Sequence, residues 1–262
     1  LETMTPMDFL EFRDVLRPAS GFQSAQFRML ETVLGLPRGQ RLKFDDRPFD
    51  ALLNPGARAQ IEAAESDQSI FDGVEAWLAR MPFLETRSFD FGDAILAKFQ
   101  ESEERITRMP GVTPDEAAAQ KAAIARQRHG LKAILDDEIY SYVAPEQKWR
   151  MKRRAMEAAL FILLYREMPL LQQPWRILSL LMDIDEQLGL WRTRHMMMVG
   201  RMIGQKVGTG GSSGSAYLER TVAAHRIFGD LFAISTYLIP MSMRPDLPAE
   251  MKRAMSFPGG AA

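Results

Sequence analysis

Apolar residues recur along this chain every three or four positions rather than every second position. That spacing places them on one face of an α-helix, whereas the period of two that is typical of strands is nearly absent. We therefore predict an all-α fold. The predicted helices cover 5–16, 21–34, 46–64 (short helices interrupted at Pro55-Gly56), 69–80, 88–108, 114–140, 146–167, 174–204 and 215–237. Loops are expected at 36–48 and 206–214, and a frayed tail after Pro240.

Capping residues mark several of these helix ends. Thr5-Pro6 followed by Asp8 combines an N-cap, a proline at the first helical position and an acid that can close a capping box. Thr113 begins an equivalent signal, and Gly35 is a typical helix stop. These signals favour a helical bundle.

The helices predicted at 88–108 and 114–140 are long and rich in charge. We expect them to form a helical pair inserted into the main bundle over about 88–140, within a single domain that spans 1–262.

Composition narrows the classes of protein. Of 262 residues, 46% are hydrophobic and 26% charged, which predicts a packed core. The net charge of −1 lacks the basic excess of a nucleic-acid-binding protein, so no nucleic-acid partner is expected. The absence of cysteine removes disulfides, thiolate nucleophiles and Cys-ligated metals. No apolar run reaches the length of a membrane span, and we expect no membrane association and a cytoplasmic location.

His195 is the first candidate for chemistry. Leu188, Trp191, His195, Met198 and Met202 follow spacings that place them on one helix face. A neutral imidazole within an apolar stripe can ligate a metal or haem iron. The alternative is a core histidine with one hydrogen-bond partner.

Arg13 shares a predicted face with Phe9, Phe12 and Leu16. A guanidinium is costly to bury unpaired, and its fork matches a carboxylate. A substrate carboxylate is one candidate partner, and an internal salt bridge, for instance with Asp14, is the other.

Two small-residue segments complete the candidates. Gly208 to Gly214 (GTGGSSG) lacks the register and lysine of nucleotide-binding loops, but its amides and hydroxyls can contact a polar ligand. Ser20 and Gly21 lie in the turn between the first two helices. The plain alternatives are a flexible connector and a helix cap.

Taken together, these segments resemble one family. LETMTPMDFLEFRDVLRPASGFQSAQFR (1–28), LWRTRHMMMVGRMIGQKVGTGGSSG (190–214) and DLFAISTYLIP (230–240) are similar, in that order, to signatures of the tryptophan 2,3-dioxygenases. The resemblance implies a helical haem b enzyme, usually a homotetramer. Its expected reaction is cleavage of the indole C2–C3 bond of L-tryptophan by O2 to N-formyl-L-kynurenine, the first step of the kynurenine pathway.

The resemblance also implies roles for individual residues. His195 corresponds to the axial ligand of the haem iron, and Trp191, Val199 and Gly208 to its surroundings in the cofactor pocket. The substrate-binding positions implied are the following: Phe9, Phe12, Arg13 (carboxylate) and Thr209 (amino-acid head group). Ser20 and Gly21 correspond to the turn beside the oxygen-binding face.

Two departures from the family pattern keep alternatives open. The family's N-terminal segment, with its distal histidine, is expected to be absent from this chain, and Phe9 stands where some relatives have tyrosine. The alternatives are a haem-dependent monooxygenase of a tryptophan or indole derivative, and a catalytically incomplete haem-binding fragment.

Overall fold

The structure is a computed structural model, and it describes residues 4–16, 24–41, 43–44, 47–48, 53–85, 89–107, 111, 113–204, 206 and 226–256. Its α-helices, numbered in chain order, are α1 (Pro6–Phe12), α2 (Ala25–Leu34), α3 (Pro55–Ser66), α4 (Ile70–Ala79), α5 (Phe91–Thr107), α6 (Pro114–Leu135), α7 (Asp137–Gln147), α8 (Arg153–Leu164), α9 (Pro169–Ile203), α10 (Gly229–Ile234) and α11 (Ala249–Ala254). Short 3-10 helices are Arg13–Leu16, Arg38–Gln40, Pro82–Glu85, Ser235–Tyr237 and Met241–Met243. The predicted all-α class is confirmed.

The chain forms two compact units. The first comprises Leu1–Gly73 with Asp183–Ile227, and the second comprises Val74–Met182 with Phe228–Ala262. The first unit contains all the candidate site residues that the structure describes, namely Phe9, Phe12, Arg13, Trp191, His195 and Val199. The single domain over 1–262 and the inserted pair over 88–140 stay predictions.

In the first unit, α2 packs against α3. Leu53 and Ile61 are buried at their junction, with Ala25, Met29 and Ala57 packed around them. Ser24 caps α2, accepting a hydrogen bond from the Phe27 backbone at 3.4 Å. Gly35 ends α2 at φ +99°, where a side chain would be strained. These two ends fix the length of the helix that faces the candidate site.

In the second unit, α8 is buried along almost its whole length. Its Phe161 ring contacts Phe91 and Tyr165, at centroid distances of 5.3 and 4.7 Å. The buried Tyr165 hydroxyl donates to the Pro245 carbonyl at 2.7 Å. The segment around Pro245 is therefore held against the core of this unit.

Several predicted helix ends are wrong, for local reasons. Pro55 does not interrupt a helix but occupies the first position of α3, where its missing N–H costs nothing, and Asn54 caps it. The predicted helix 114–140 divides at Asp136, whose side chain accepts from the Ile139 backbone at 2.9 Å and begins α7. The second helix begins at Ala25, because Ser24 is its N-cap, rather than near Gly21.

The helices around α8 and α9 also differ from prediction. Lys148 adopts φ +58° and ends α7, so α8 begins at Arg153 instead of near residue 146. Helix α9 begins at Pro169, and Pro174 lies inside it. Proline in the second turn removes one backbone hydrogen bond but leaves the helix continuous here.

Two further regions were mispredicted as irregular. Within the predicted loop 36–48, Lys43–Phe44 pairs antiparallel with Arg47–Pro48. The tail after Pro240 is packed rather than frayed as far as it is described, since Met251 and Met255 are buried and the Met255 carbonyl accepts from the Leu170 backbone at 3.0 Å. The predicted loop 206–214 and helix 215–237 lie largely outside the described residues.

Candidate active site

His195 lies on α9, in the part of that helix that belongs to the first unit. Its side chain is half-buried, and burial lowers the pKa of the imidazole below its ordinary value of 6.5. Loss of solvent disfavours the charged form, so the imidazole is held neutral near neutral pH. The neutral ring is the form in which histidine ligates a metal.

An aromatic stack orients this imidazole. The Trp191 indole lies parallel to the His195 ring, with centroids 5.5 Å apart and an interplanar angle of 1°. On α2, the Phe27 ring stacks on the same indole at 4.7 Å and 25°. Trp191 nevertheless keeps 50% of its surface exposed. The predicted apolar stripe is thus open at Trp191, while Met202 further along the helix is buried.

Beside this stack lies a buried ionic network that the sequence did not predict. The Glu31 carboxylate accepts a hydrogen bond from Arg28 at 2.7 Å and from Arg192 at 3.3 Å. All three side chains are at least nine-tenths buried. Arg28 and Arg192 also place their guanidinium carbons 5.0 and 5.6 Å from the Phe27 ring centroid. The network therefore connects α2 with α9 one residue from Trp191.

One half of this network was visible in the sequence. Arg28 and Glu31 are three residues apart on a helix, which is the spacing of an ion pair. Arg192 lies within the WRTRH motif, in which only His195 has an evident ligand role. Nothing local indicates that Arg192 pairs with a residue 161 positions earlier.

The first helix supplies a second cluster. Phe9 and Phe12 meet edge to face at 5.5 Å, and Phe12 is 38% exposed. Arg13 is 5% exposed, so the charged residue is more deeply buried than its apolar neighbours. Its Nε lies 3.9 Å from the carboxylate of Asp14, which is itself largely exposed. This long contact agrees with the internal salt bridge that was expected as the alternative partner of Arg13.

The remaining candidates are less constrained by the structure. Val199 is half-buried on α9, one turn after His195. Ser20, Gly21, Gly208 and Thr209 lie outside the described residues. After the glycine-rich segment, the Ile227 backbone donates to the buried Asp185 carboxylate at 2.9 Å, which ties the chain there to α9.

Two features are absent from the part of the chain that the structure describes. Across the described ranges, no three histidine, aspartate or glutamate side chains come together as a metal-binding group. No described helix combines the length and the apolar character needed to cross a bilayer.

Comparison with known proteins identifies the family. The tryptophan 2,3-dioxygenase family model matches residues 1–238. A curated Tryptophan 2,3-dioxygenase of Bdellovibrio bacteriovorus is 43% identical over 261 residues, covering 98% of this chain and 73% of that protein. The Aedes aegypti and Mus musculus proteins of that name are 40% and 39% identical, covering 100% and 94% of this chain and 68% and 62% of their own lengths.

The family match and the helical fold together define the class of protein. The chain is an all-α oxidoreductase of the dioxygenase type. It belongs to the tryptophan 2,3-dioxygenase family.

Proposed function

We propose that this chain binds haem b through His195 and cleaves the indole C2–C3 bond of L-tryptophan with O2. The product is N-formyl-L-kynurenine, so the chain catalyses the first step of the kynurenine pathway. Both oxygen atoms of O2 enter the product as two carbonyl oxygens, and no external reductant is consumed. The family match favours this reaction over the monooxygenase and the incomplete fragment.

The observation that carries the proposal is the state of His195. Haem would need one imidazole ligand from the protein, because the porphyrin itself supplies the other nitrogen ligands. His195 offers one imidazole, held neutral by burial and oriented by Trp191. The donor chemistry of the site therefore fits haem. When bound, haem supplies the activation of O2 that no side chain of this chain can supply.

The protein's own contribution is to bind and orient tryptophan. We assign Arg13 to the substrate carboxylate, because a buried guanidinium fork matches that group. Phe9 and Phe12, which contact one another beside Arg13, are assigned to the indole pocket. Thr209 is assigned to the amino-acid head group, and Ser20 and Gly21 to the oxygen-binding side, by the family motifs they occupy. Trp191, Val199 and Gly208 are assigned to the cofactor pocket.

The assigned residues contribute to the reaction by positioning the substrate. Holding the indole in a fixed orientation within the haem pocket would convert an encounter in solution into a reaction within one complex. Apolar rings around the indole exclude water from the reacting carbons. The role of Arg13 is to fix the amino-acid end so that the ring end is aligned.

Isotope labelling tests the reaction. The haem-loaded protein is given L-tryptophan under labelled O2, and the product mass is measured. Incorporation of both oxygen atoms supports the proposal, incorporation of one supports the monooxygenase, and a haem-bound protein without product supports the fragment. The His195→Ala variant, prepared identically, is the control that should form no product.

The oligomeric state and the location also belong to the proposal. A homotetramer is expected from the family, and the exposed Met7 (76%) and Val15 (83%) at the first helix are apolar surfaces that a subunit contact could cover. Light scattering of the haem-loaded protein tests this, since a monomer would contradict it. A cytoplasmic location stays a prediction.

A further inference from the structure

Glu31 occupies an unusual position for a carboxylate. It is 1% exposed, and it accepts hydrogen bonds from Arg28 on its own helix and Arg192 on α9. A buried charge is tolerated only when it is paired, so the two guanidinium groups and the carboxylate hold one another in place. Glu31 therefore holds the Arg192 side chain, three residues from His195 along α9, against α2.

The same two arginines flank one aromatic ring. Both guanidinium carbons lie within 6 Å of the Phe27 centroid, at 5.0 and 5.6 Å, which is the range of cation–π attraction. Phe27 in turn stacks on Trp191, and Trp191 stacks on His195. A continuous series of planar groups thus runs from the Glu31 ion pairs to the imidazole.

We propose that Glu31 is a positioning residue that sets the plane of the His195 imidazole, acting through Arg28, Arg192, Phe27 and Trp191. This inference rests on the proposed ligation of haem by His195. Groups outside the ligand shell commonly orient a metal-binding histidine and so tune the metal. Here the orienting contact is a stack anchored by ion pairs.

A merely structural ion pair predicts something different. Removing it would lower the free energy of unfolding but leave the bond between iron and histidine unchanged. A positioning role predicts a change in that bond in protein that is still folded and still carries haem.

The test compares Glu31→Gln with Glu65→Gln in the haem-loaded full chain. Glu65 is a matched control, because it also accepts from two arginines, Arg38 at 2.6 Å and Arg41 at 2.5 Å, in the same unit. The readouts are haem content, the iron–histidine stretching frequency of the ferrous protein by resonance Raman, and the kinetics with L-tryptophan.

We expect Glu31→Gln to keep haem but to shift the iron–histidine frequency. Its kcat should fall by about tenfold, with KM changed by less than about twofold, because substrate contacts are untouched. Glu65→Gln should keep the parental frequency and kcat. Parental frequency and kcat in haem-loaded Glu31→Gln would overturn the inference.

A second variant keeps the inference testable if Glu31→Gln fails to fold. Phe27→Leu removes the ring of the stack and leaves the Glu31 ion pairs, and we expect it to reproduce the frequency shift. A parental frequency in Phe27→Leu would overturn the proposed route. His195→Ala tests haem ligation separately. If this variant keeps haem with an unaltered spectrum, the proposed function is contradicted, together with the role of Glu31 that rests on it.

Discussion

Replacing Arg13 with alanine separates a substrate-binding role from a structural one. Arg13 is 5% exposed, and its contact with Asp14 is long, at 3.9 Å. If the guanidinium holds the tryptophan carboxylate, truncation leaves that carboxylate without its charged partner in a site with little water.

The burial of Arg13 sets the size of the expected loss of activity. Truncating one partner of a buried, hydrogen-bonded charge pair costs about 2–4 kcal/mol. At about 1.4 kcal/mol for each tenfold change, kcat/KM for L-tryptophan should fall by about 30- to 700-fold in Arg13→Ala. Arg13→Lys retains the charge but loses the fork, so its loss should be smaller.

The assay uses a substrate that lacks the carboxylate. Steady-state rates are measured with L-tryptophan and with tryptamine for the parent and for Arg13→Ala, both with verified haem content. The loss should be large for tryptophan and no more than about threefold for tryptamine, because tryptamine has no group for Arg13 to bind.

A control variant addresses the salt bridge. If Arg13 served only to pair with Asp14, then Asp14→Asn would reproduce the loss, and we expect it to have little effect. The reasoning is refuted if Arg13→Ala, fully loaded with haem, keeps kcat/KM for tryptophan within about twofold of the parent, or if both substrates lose activity equally.

Two further predictions concern stability. Burial raises the pKa of Asp230 above its ordinary value of 3.8. The folded state therefore binds a proton at this carboxylate more readily than the unfolded state. The contribution of Asp230 to stability falls as the pH rises through the folded-state pKa. The stability advantage of the parent over Asp230→Asn, measured by urea unfolding, should therefore shrink as the pH rises above about 4, the ordinary pKa of an aspartate, and an advantage that grows with pH would contradict this. Gly35→Ala should lower the free energy of unfolding by about 2 kcal/mol or more, because Gly35 has φ +99° and an added Cβ would lie 2.6 Å from the Phe71 Cβ. An unchanged midpoint of urea unfolding would contradict this prediction.

Features encoded by neighbouring residues could be predicted from the sequence. The capping box of Thr5 and Asp8 and that of Thr113 and Glu116 form as expected, because each needs only a four-residue pattern. The stop at Gly35 likewise follows from one residue. Helix class and most helix positions came from the spacing of apolar residues alone.

The predicted helix boundaries were wrong where one residue type can have two opposite roles. Proline at Pro55 begins a helix and at Pro174 lies within one, whereas both were expected to mark a break or a start. Asp136 ends one helix and caps the next, and charge-rich sequence on both sides concealed the division. Such outcomes depend on how flanking segments pack, which spacing does not encode.

The sequence predicted individual residues of the candidate site but not the contacts between them. His195, Trp191 and Arg13 were chosen from their sequence context and motifs. The stacking of Phe27 on Trp191 and the ion pair between Glu31 and Arg192 join residues more than 150 positions apart. No local pattern selects those partners, since the fold alone brings α2 beside α9.

Haem ligation by His195 is tested by the absorption spectrum of the purified chain, expressed with haem supply. It is recorded in ferric and ferrous forms, with and without L-tryptophan, beside His195→Ala. We predict a histidine-ligated haem spectrum that shifts on addition of tryptophan and is lost in His195→Ala. A parent that binds no haem, or a variant whose haem spectrum is the same as the parent's, would contradict it.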